Sequence, residues 1–152
     1  MDFKNRYRLK LIMKPLIIDL KVGNIESLKS AINFLGVEVE ISNNKEAIDL
    51  SSHIILPGVG AFDSMSDEIH KNNLDEVIKE NILKKKKPFL GICVGMQILF
   101  KSSEEGKKLG LGLFNNTVKK LEISKNSTFK IPNVGFSKIF DFKSEGLFNS
   151  LE

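Results

Sequence analysis

The chain has 152 residues, of which 41% are hydrophobic and 28% charged, with a formal net charge of +4. That is enough polypeptide for one domain with a real core, and no apolar run approaches the roughly 20 residues that a membrane-spanning helix needs. The lysines are scattered, and the densest group, Lys84 to Lys87, closes an expected helix, where cations favour the dipole end. No basic stretch is interleaved with aromatics, so neither a nucleic acid nor a membrane is expected as a partner.

The single cysteine forbids an internal disulfide and fits a reducing, cytoplasmic compartment. The first dozen residues are basic and lack both an apolar core and a small-residue cleavage site, so they do not read as a secretory signal. Residues 1–14 are expected to be an extension, with a natural start at Met13.

Strands and helices then alternate. Pro15 to Asp19 is a short apolar run ending in an acid, as a buried parallel strand would. Asn24 can cap a helix whose apolar positions, Ile25, Leu28, Ala31, Ile32 and Leu35, share one face, and Gly36 stops it. Val37 to Ser42 alternates like a strand, and His53 to Leu56 is a third, closed by Pro57 and Gly58. Leu74, Val77, Ile78 and Ile82 mark another one-sided helix. Pro88 to Ile92 is a fourth strand, and Val94 to Lys101 has the character of the helix after it. Thr117 to Ile123 and Ser137 to Phe142 read as further strands. This alternation with short connections predicts an α/β domain with an open, mostly parallel, doubly wound sheet.

The most informative stretch runs from Gly91 to Gln97. Cys93 stands at a strand-to-helix junction with a glycine two positions before it and another two after. A sharp bend there holds a nucleophile in a strained conformation, and larger flanking side chains would collide. The following helix would present its first N–H groups to the sulfur, the arrangement that favours thiolate in cysteine nucleophiles, with the N–H of Val94 placed for an oxyanion. This is a cysteine elbow suited to acyl transfer. Leu56 to Phe62 is a glycine-flanked loop at the carboxyl end of a neighbouring parallel strand, where ligands bind in such sheets.

Together these stretches resemble the class I glutamine amidotransferases, whose elbow is usually Gly-Ile-Cys-x-Gly-x-Gln. Leu56 to Phe62 narrows the resemblance to the glutaminase subunit of imidazole glycerol phosphate synthase, the HisH family. Ser102 to Gly106, Gly110 to Leu113, Lys130 to Phe136 and Asn24 after the first strand agree with it. The resemblance implies that glutamine is hydrolysed to glutamate and ammonia, and that the ammonia is tunnelled to a (β/α)₈-barrel cyclase partner in a heterodimer of histidine biosynthesis. It implies Cys93 as nucleophile, with Val59 (after a peptide flip) and Val94 as the oxyanion-hole N–H donors. Gly58, Gly60 and Gln97 would line the glutamine pocket, and Asn24, Pro132, Asn133 and Phe136 would lie near the partner. No cofactor and no metal are expected.

The sequence also departs from that pattern. The family's activating His and its orienting Glu come from a C-terminal segment that is absent, so the domain over residues 15–152 is expected to be incomplete and to turn over glutamine poorly. His53 and His70 are the two histidines, and each reads as an ordinary strand-edge or helix-end residue. The first strand usually ends Asp-Tyr-Gly-x-Gly-Asn, whereas Asp19 is followed by Leu20, Lys21 and Val22. The interface usually reads Pro-His-x-Gly-Trp-Asn, but here it is Pro132, Asn133, Val134, Gly135, Phe136 and Ser137. These changes leave open a paralogue that supplies ammonia to a sugar amidotransferase subunit, and a catalytically silent docking subunit. A different cysteine-elbow α/β protein is a third reading, against which Leu56 to Phe62 and Ser102 to Gly106 weigh.

Overall fold

The computed structural model describes residues 13–21 and 24–122, together with positions 131, 135 and 138. The chain divides into two units, Met1–Lys120 and Leu121–Glu152. In the second unit only Leu121, Glu122, Ile131, Gly135 and Lys138 are described, so the architecture below is that of the first. The expected strand at Ser137 to Phe142 lies, Lys138 excepted, outside the described residues.

Four strands, β1 (Pro15–Ile18), β2 (Glu40–Ser42), β3 (His53–Gly58) and β4 (Phe89–Cys93), form one parallel sheet in the order β2-β1-β3-β4. The central β1 is buried along its whole length, as a strand covered on both faces must be. Its apolar run therefore does not alternate, whereas β3 does, burying Ile54, Leu56 and Gly58 and leaving the residues between them part-exposed.

The connections are helical. After β1 comes α1 (Ile25–Phe34), capped as expected by Asn24, whose Oδ1 accepts from the Ser27 N–H at 3.2 Å. After β2 comes α2 (Lys45–Leu50), which the apolar spacing did not announce. Asn44 caps it by accepting from the N–H groups of Glu46 and Ala47. After β3 come α3 (Phe62–Lys71) and α4 (Asp75–Lys79), the latter continuing into a π-helical turn, Glu80–Lys84. The chain moves outward from β1 to β2 and then back past β1 to β3 and β4. Right-handed crossovers therefore put α1 on one face of the sheet and α2, α3 and α4 on the other.

The core lies on that second face: Leu16, Ile18, Ile48, Ile54, Leu56, Phe62, Met65, Ile69, Leu74 and Ile78 form one buried cluster. At its edge, Lys85 pairs with the Asp49 carboxylate at 2.8 Å, and the buried Asn81 amide donates to the same oxygen at 2.6 Å. These contacts hold the Asp49 carboxyl below the usual carboxylate range. The Lys87 ammonium donates to the Ile48 and Asp49 carbonyls at the end of α2, so this part of the basic run serves a neighbouring helix's C-terminus as well as closing its own.

Two expectations beyond β4 are corrected. The helix predicted over Val94 to Lys101 is only α5 (Val94–Gln97), and the chain re-enters extended structure as β5 (Phe100–Ser103). The strand predicted over Thr117 to Ile123 lies earlier, as β6 (Phe114–Val118), parallel to β5. Both shifts have the same cause. The Leu111 N–H bonds the Ile98 carbonyl and the Phe114 N–H bonds the Leu99 carbonyl, taking the groups a longer helix would have used. The Phe100 and Phe114 rings, on register partners of β5 and β6, meet at 5.1 Å between centroids.

Candidate active site at the carboxyl end of the sheet

Cys93 ends β4 with φ 56° and ψ −120° and is exposed to solvent. A non-glycine residue reaches such a conformation only when its surroundings impose it. Here the constraint comes from the two flanking glycines. A Cβ at Gly91 would lie 2.5 Å from the Gly95 carbonyl oxygen and 2.7 Å from the Met96 Cα, and a Cβ at Gly95 would overlap the Leu56 carbonyl oxygen. The collision expected from sequence is thus found on both sides of Cys93. α5 begins directly after Cys93 and spans one turn, with Val94 and Gly95 buried beneath it.

In the β3–β4 ladder Gly58 is the register partner of Cys93. The Pro57–Gly60 loop is therefore delivered beside the sulfur by sheet pairing alone. A Cβ at Gly58 would stand 2.7 Å from Met65 Sδ and 2.8 Å from the Gly95 amide nitrogen, so the loop and the elbow pack backbone to backbone. Val59 is exposed, and Gly60 holds φ 109°. Gln97 closes the elbow's single helical turn, and its buried Oε1 has no hydrogen-bond partner among the described residues. A buried acceptor of this kind is costly unless a donor reaches it.

The structure thus brings together Cys93, Val94, Gln97, Gly58, Val59 and Gly60. It sets Asn24 after β1, at the same end of the sheet, as the cap of α1. Pro132, Asn133 and Phe136 lie outside the described residues. Lys21 takes φ 58° where the family pattern has glycine, and its N–H donates to Asp19 Oδ1 at 2.7 Å. The side chain of Asp19 thus supports a left-handed turn that glycine would adopt without strain.

Both histidines lie away from the sulfur. His53 starts β3, five residues before the partner of Cys93, which at ~3.3 Å per residue puts it about 16 Å down the strand. Its Nδ1 is 2.9 Å from Ser52 Oγ. His70 lies in the last turn of α3, and its Nδ1–H donates to the Ser66 carbonyl at 2.7 Å. Because α3 runs back from the carboxyl end of β3, about 12 Å of helix separates His70 from Phe62, at ~1.5 Å per residue.

Sequence reasoning passed over Asp63, in the first turn of α3. Its carboxylate accepts from the Lys107 N–H (2.9 and 3.1 Å) and the Lys108 N–H (2.9 Å), and these bonds hold its pKa below the usual carboxylate range. An acid in a helix's first turn is ordinarily read as dipole complementation, which conceals a long-range role of this kind.

Comparison with known proteins agrees with this geometry. The family model Glutamine amidotransferase class-I matches residues 16–145. The imidazole glycerol phosphate synthase subunit HisH of Leptospira interrogans is 36% identical over 137 residues, covering 90% of this chain and 67% of that protein. The subunit of the same name from Bacillus cereus (strain B4264) is 41% identical over 136 residues, covering 89% and 63%. The chain therefore spans about two thirds of the length of these relatives. A crystal structure of a glutamine amidotransferase superposes with a TM-score of 0.58 at 19% identity, over 68% of this chain and 55% of that one, and it supports the fold. The chain belongs to the class I glutamine amidotransferase family and, within it, to the family of imidazole glycerol phosphate synthase HisH subunits.

Proposed function

We propose that the chain serves as the glutaminase part of imidazole glycerol phosphate synthase, a lyase of histidine biosynthesis. In that role it would release ammonia from glutamine to a (β/α)₈-barrel cyclase subunit in a cytoplasmic heterodimer. The observation that carries the reading is the strained Cys93, bracketed by two glycines that admit no Cβ and register-paired with Gly58. The sulfur attacks the glutamine side-chain carbonyl carbon and the carbonyl oxygen becomes the oxyanion. The N–H of Val94, and that of Val59 once its peptide turns inward, donate to it. Collapse expels ammonia and leaves a glutamyl thioester on Cys93, which water then cleaves to glutamate. The orphaned Gln97 Oε1 offers an acceptor for a substrate N–H group.

The proton the leaving nitrogen needs has no donor in His53 or His70, given where the fold puts them. The proton given up by the attacking Cys93 thiol balances the departing ammonia, so the acylation step closes with the groups named. The test is to treat the protein with 6-diazo-5-oxo-norleucine, a glutamine-analogue electrophile, and to locate the adduct by peptide mass mapping. Labelling confined to Cys93 and suppressed by excess glutamine is the expected result. Labelling that glutamine does not suppress would overturn the reading in favour of a silent docking subunit.

A second partner is favoured by the departures at Pro132 to Phe136 and at Leu20 to Val22. With His and Trp missing from the expected contact, the ammonia acceptor would be a sugar amidotransferase subunit.

A further inference from the structure

We infer that Asp63 is a positioning residue for the oxyanion loop, acting by fastening Lys107 and Lys108, which directly follow the Ser102–Gly106 stretch, to the first turn of α3. The inference rests on the glutaminase reading above and deepens it. Two segments singled out in the sequence, Leu56 to Phe62 and Ser102 to Gly106, are about forty residues apart in the chain. In the fold Asp63, directly after the first, accepts from the N–H groups of Lys107 and Lys108, directly after the second.

The loop that contains Gly58, Val59 and Gly60 is held on its upstream side by the β3–β4 ladder, which ends at the Gly58–Cys93 pair. Downstream, only Ala61 separates it from α3, and Ala61 provides no side-chain cap. The downstream anchor is therefore the first turn of α3 itself. Phe62 of that turn is wholly buried, and Met65, one turn on, packs its sulfur against Gly58. Asp63 is the residue in that turn whose side chain reaches outside the helix, making three bonds to the N–H groups of Lys107 and Lys108.

Gly106 shows how closely the two segments are fitted. A Cβ there would overlap the Asp63 carboxylate and lie 3.0 Å from the Phe62 ring. Two further ties run parallel to the carboxylate: Ser66 Oγ donates to the Leu109 carbonyl at 2.8 Å, and Lys108 pairs with Asp67. The stretch is held on its other side through Glu104, whose N–H bonds the Val118 carbonyl and whose carboxylate accepts the Lys120 N–H at 2.9 Å. Asp63 thus couples the register of the β5–β6 pair to the start of α3, and hence to the loop that must turn a peptide toward Cys93. It touches no reacting atom. Its effect is on where the Val59 N–H comes to rest.

The test compares the parent chain with Asp63→Asn and Asp63→Glu, measuring the rate of Cys93 alkylation by 6-diazo-5-oxo-norleucine and by iodoacetamide. The first reagent needs the pocket and the oxyanion loop, and the second needs only an accessible thiol. Asp63→Asn removes the charge at unchanged size and is expected to lower the ratio of the two rates about tenfold, within the range that a displacement near 1 Å produces. Asp63→Glu is expected to recover part of it, and amide hydrogen exchange should quicken at Lys107 and Lys108 and also at Val59 to Ala61.

Quickened exchange confined to Lys107 and Lys108, with the rate ratio unchanged, would make Asp63 a local loop anchor only and overturn the inference. Should Asp63→Asn fold poorly, Gly106→Ala provides the same test, because its Cβ displaces the carboxylate without altering it. A parent chain that shows no glutamine-suppressible preference for the first reagent fails on the glutaminase reading itself. That result precedes any variant, so the two failures are distinguishable.

Discussion

The two faces of the sheet differ sharply in how completely the described residues cover them. On the face that carries α2, α3 and α4, Leu16, Ile18, Ile54, Leu56, Phe62, Ile69 and Ile78 are each no more than 1% exposed. On the other face an in-register row runs Ile41, Ile17, Ile55, Leu90. Along it burial falls from Ile17, which is sealed, to Leu90, which is 45% exposed. Among the described residues α1 is the helix on that side; it buries none of its residues, and its end leaves Phe34 90% exposed and Leu35 77% exposed. The Cys93 elbow lies at the carboxyl end of the sheet, where β4 meets α5. On the sealed side Leu56, Met65 and Val94 belong to the buried core cluster, and the Leu56 carbonyl and Met65 sulfur lie against Gly95 and Gly58 on either side of the strained Cys93.

Adjacent residues of β3 give the strongest way to break this comparison. Ile54 faces the sealed core and Ile55 the open side. Ile54→Ala removes buried methyl groups from a site with little freedom to collapse and is expected to destabilise by about 3 kcal/mol, while Ile55→Ala costs no more than about 1.5 kcal/mol. Urea unfolding of both variants checks it, and equal losses would show the two faces to be equally packed.

The same contrast explains what could be read from the sequence. The strands β1, β3 and β4 were legible because short apolar runs between turn residues are what buried parallel strands require. The elbow was legible because Gly91, Cys93 and Gly95 carry their steric reason in their spacing. α2 was missed because six residues are too few to show a period, although Asn44 ahead of Glu46 and Ala47 was a usable cap signal. The extent of α5 was misjudged because Ile98 to Lys101 fits a helix or a strand equally well. What decided it was hydrogen bonding from Leu111 and Phe114, which no local pattern contains. Asp63 was invisible for the same reason, since its partners lie more than forty positions away.

A smaller effect is expected at Leu90. Its side chain stands on the open face and is partly in water already, so Leu90→Thr should change unfolding free energy by less than about 1 kcal/mol while reducing the exposed apolar patch. Light scattering at matched concentration should then show slower aggregation than the parent. A loss above about 2 kcal/mol would mean that this face is packed after all.

Acid distinguishes the two faces most finely, because the carboxylates with depressed pKa values, Asp49 and Asp63, both serve the sealed one. For a carboxylate whose folded pKa is lower than its unfolded value, the added stability is complete above the unfolded pKa, near 4. It is lost as pH falls through the folded pKa. Both carboxylates are exposed enough that solvent screens them, so the slope is expected to be shallow. The melting temperature should hold steady above about pH 5 and decline below about pH 4. Asp63→Asn and Asp49→Asn should each flatten that decline, whereas Leu90→Thr should leave it unchanged. If both aspartate variants retained the parent's acid limb, the stabilisation that acid removes would lie elsewhere, and the rim of the sealed face would be held by packing alone.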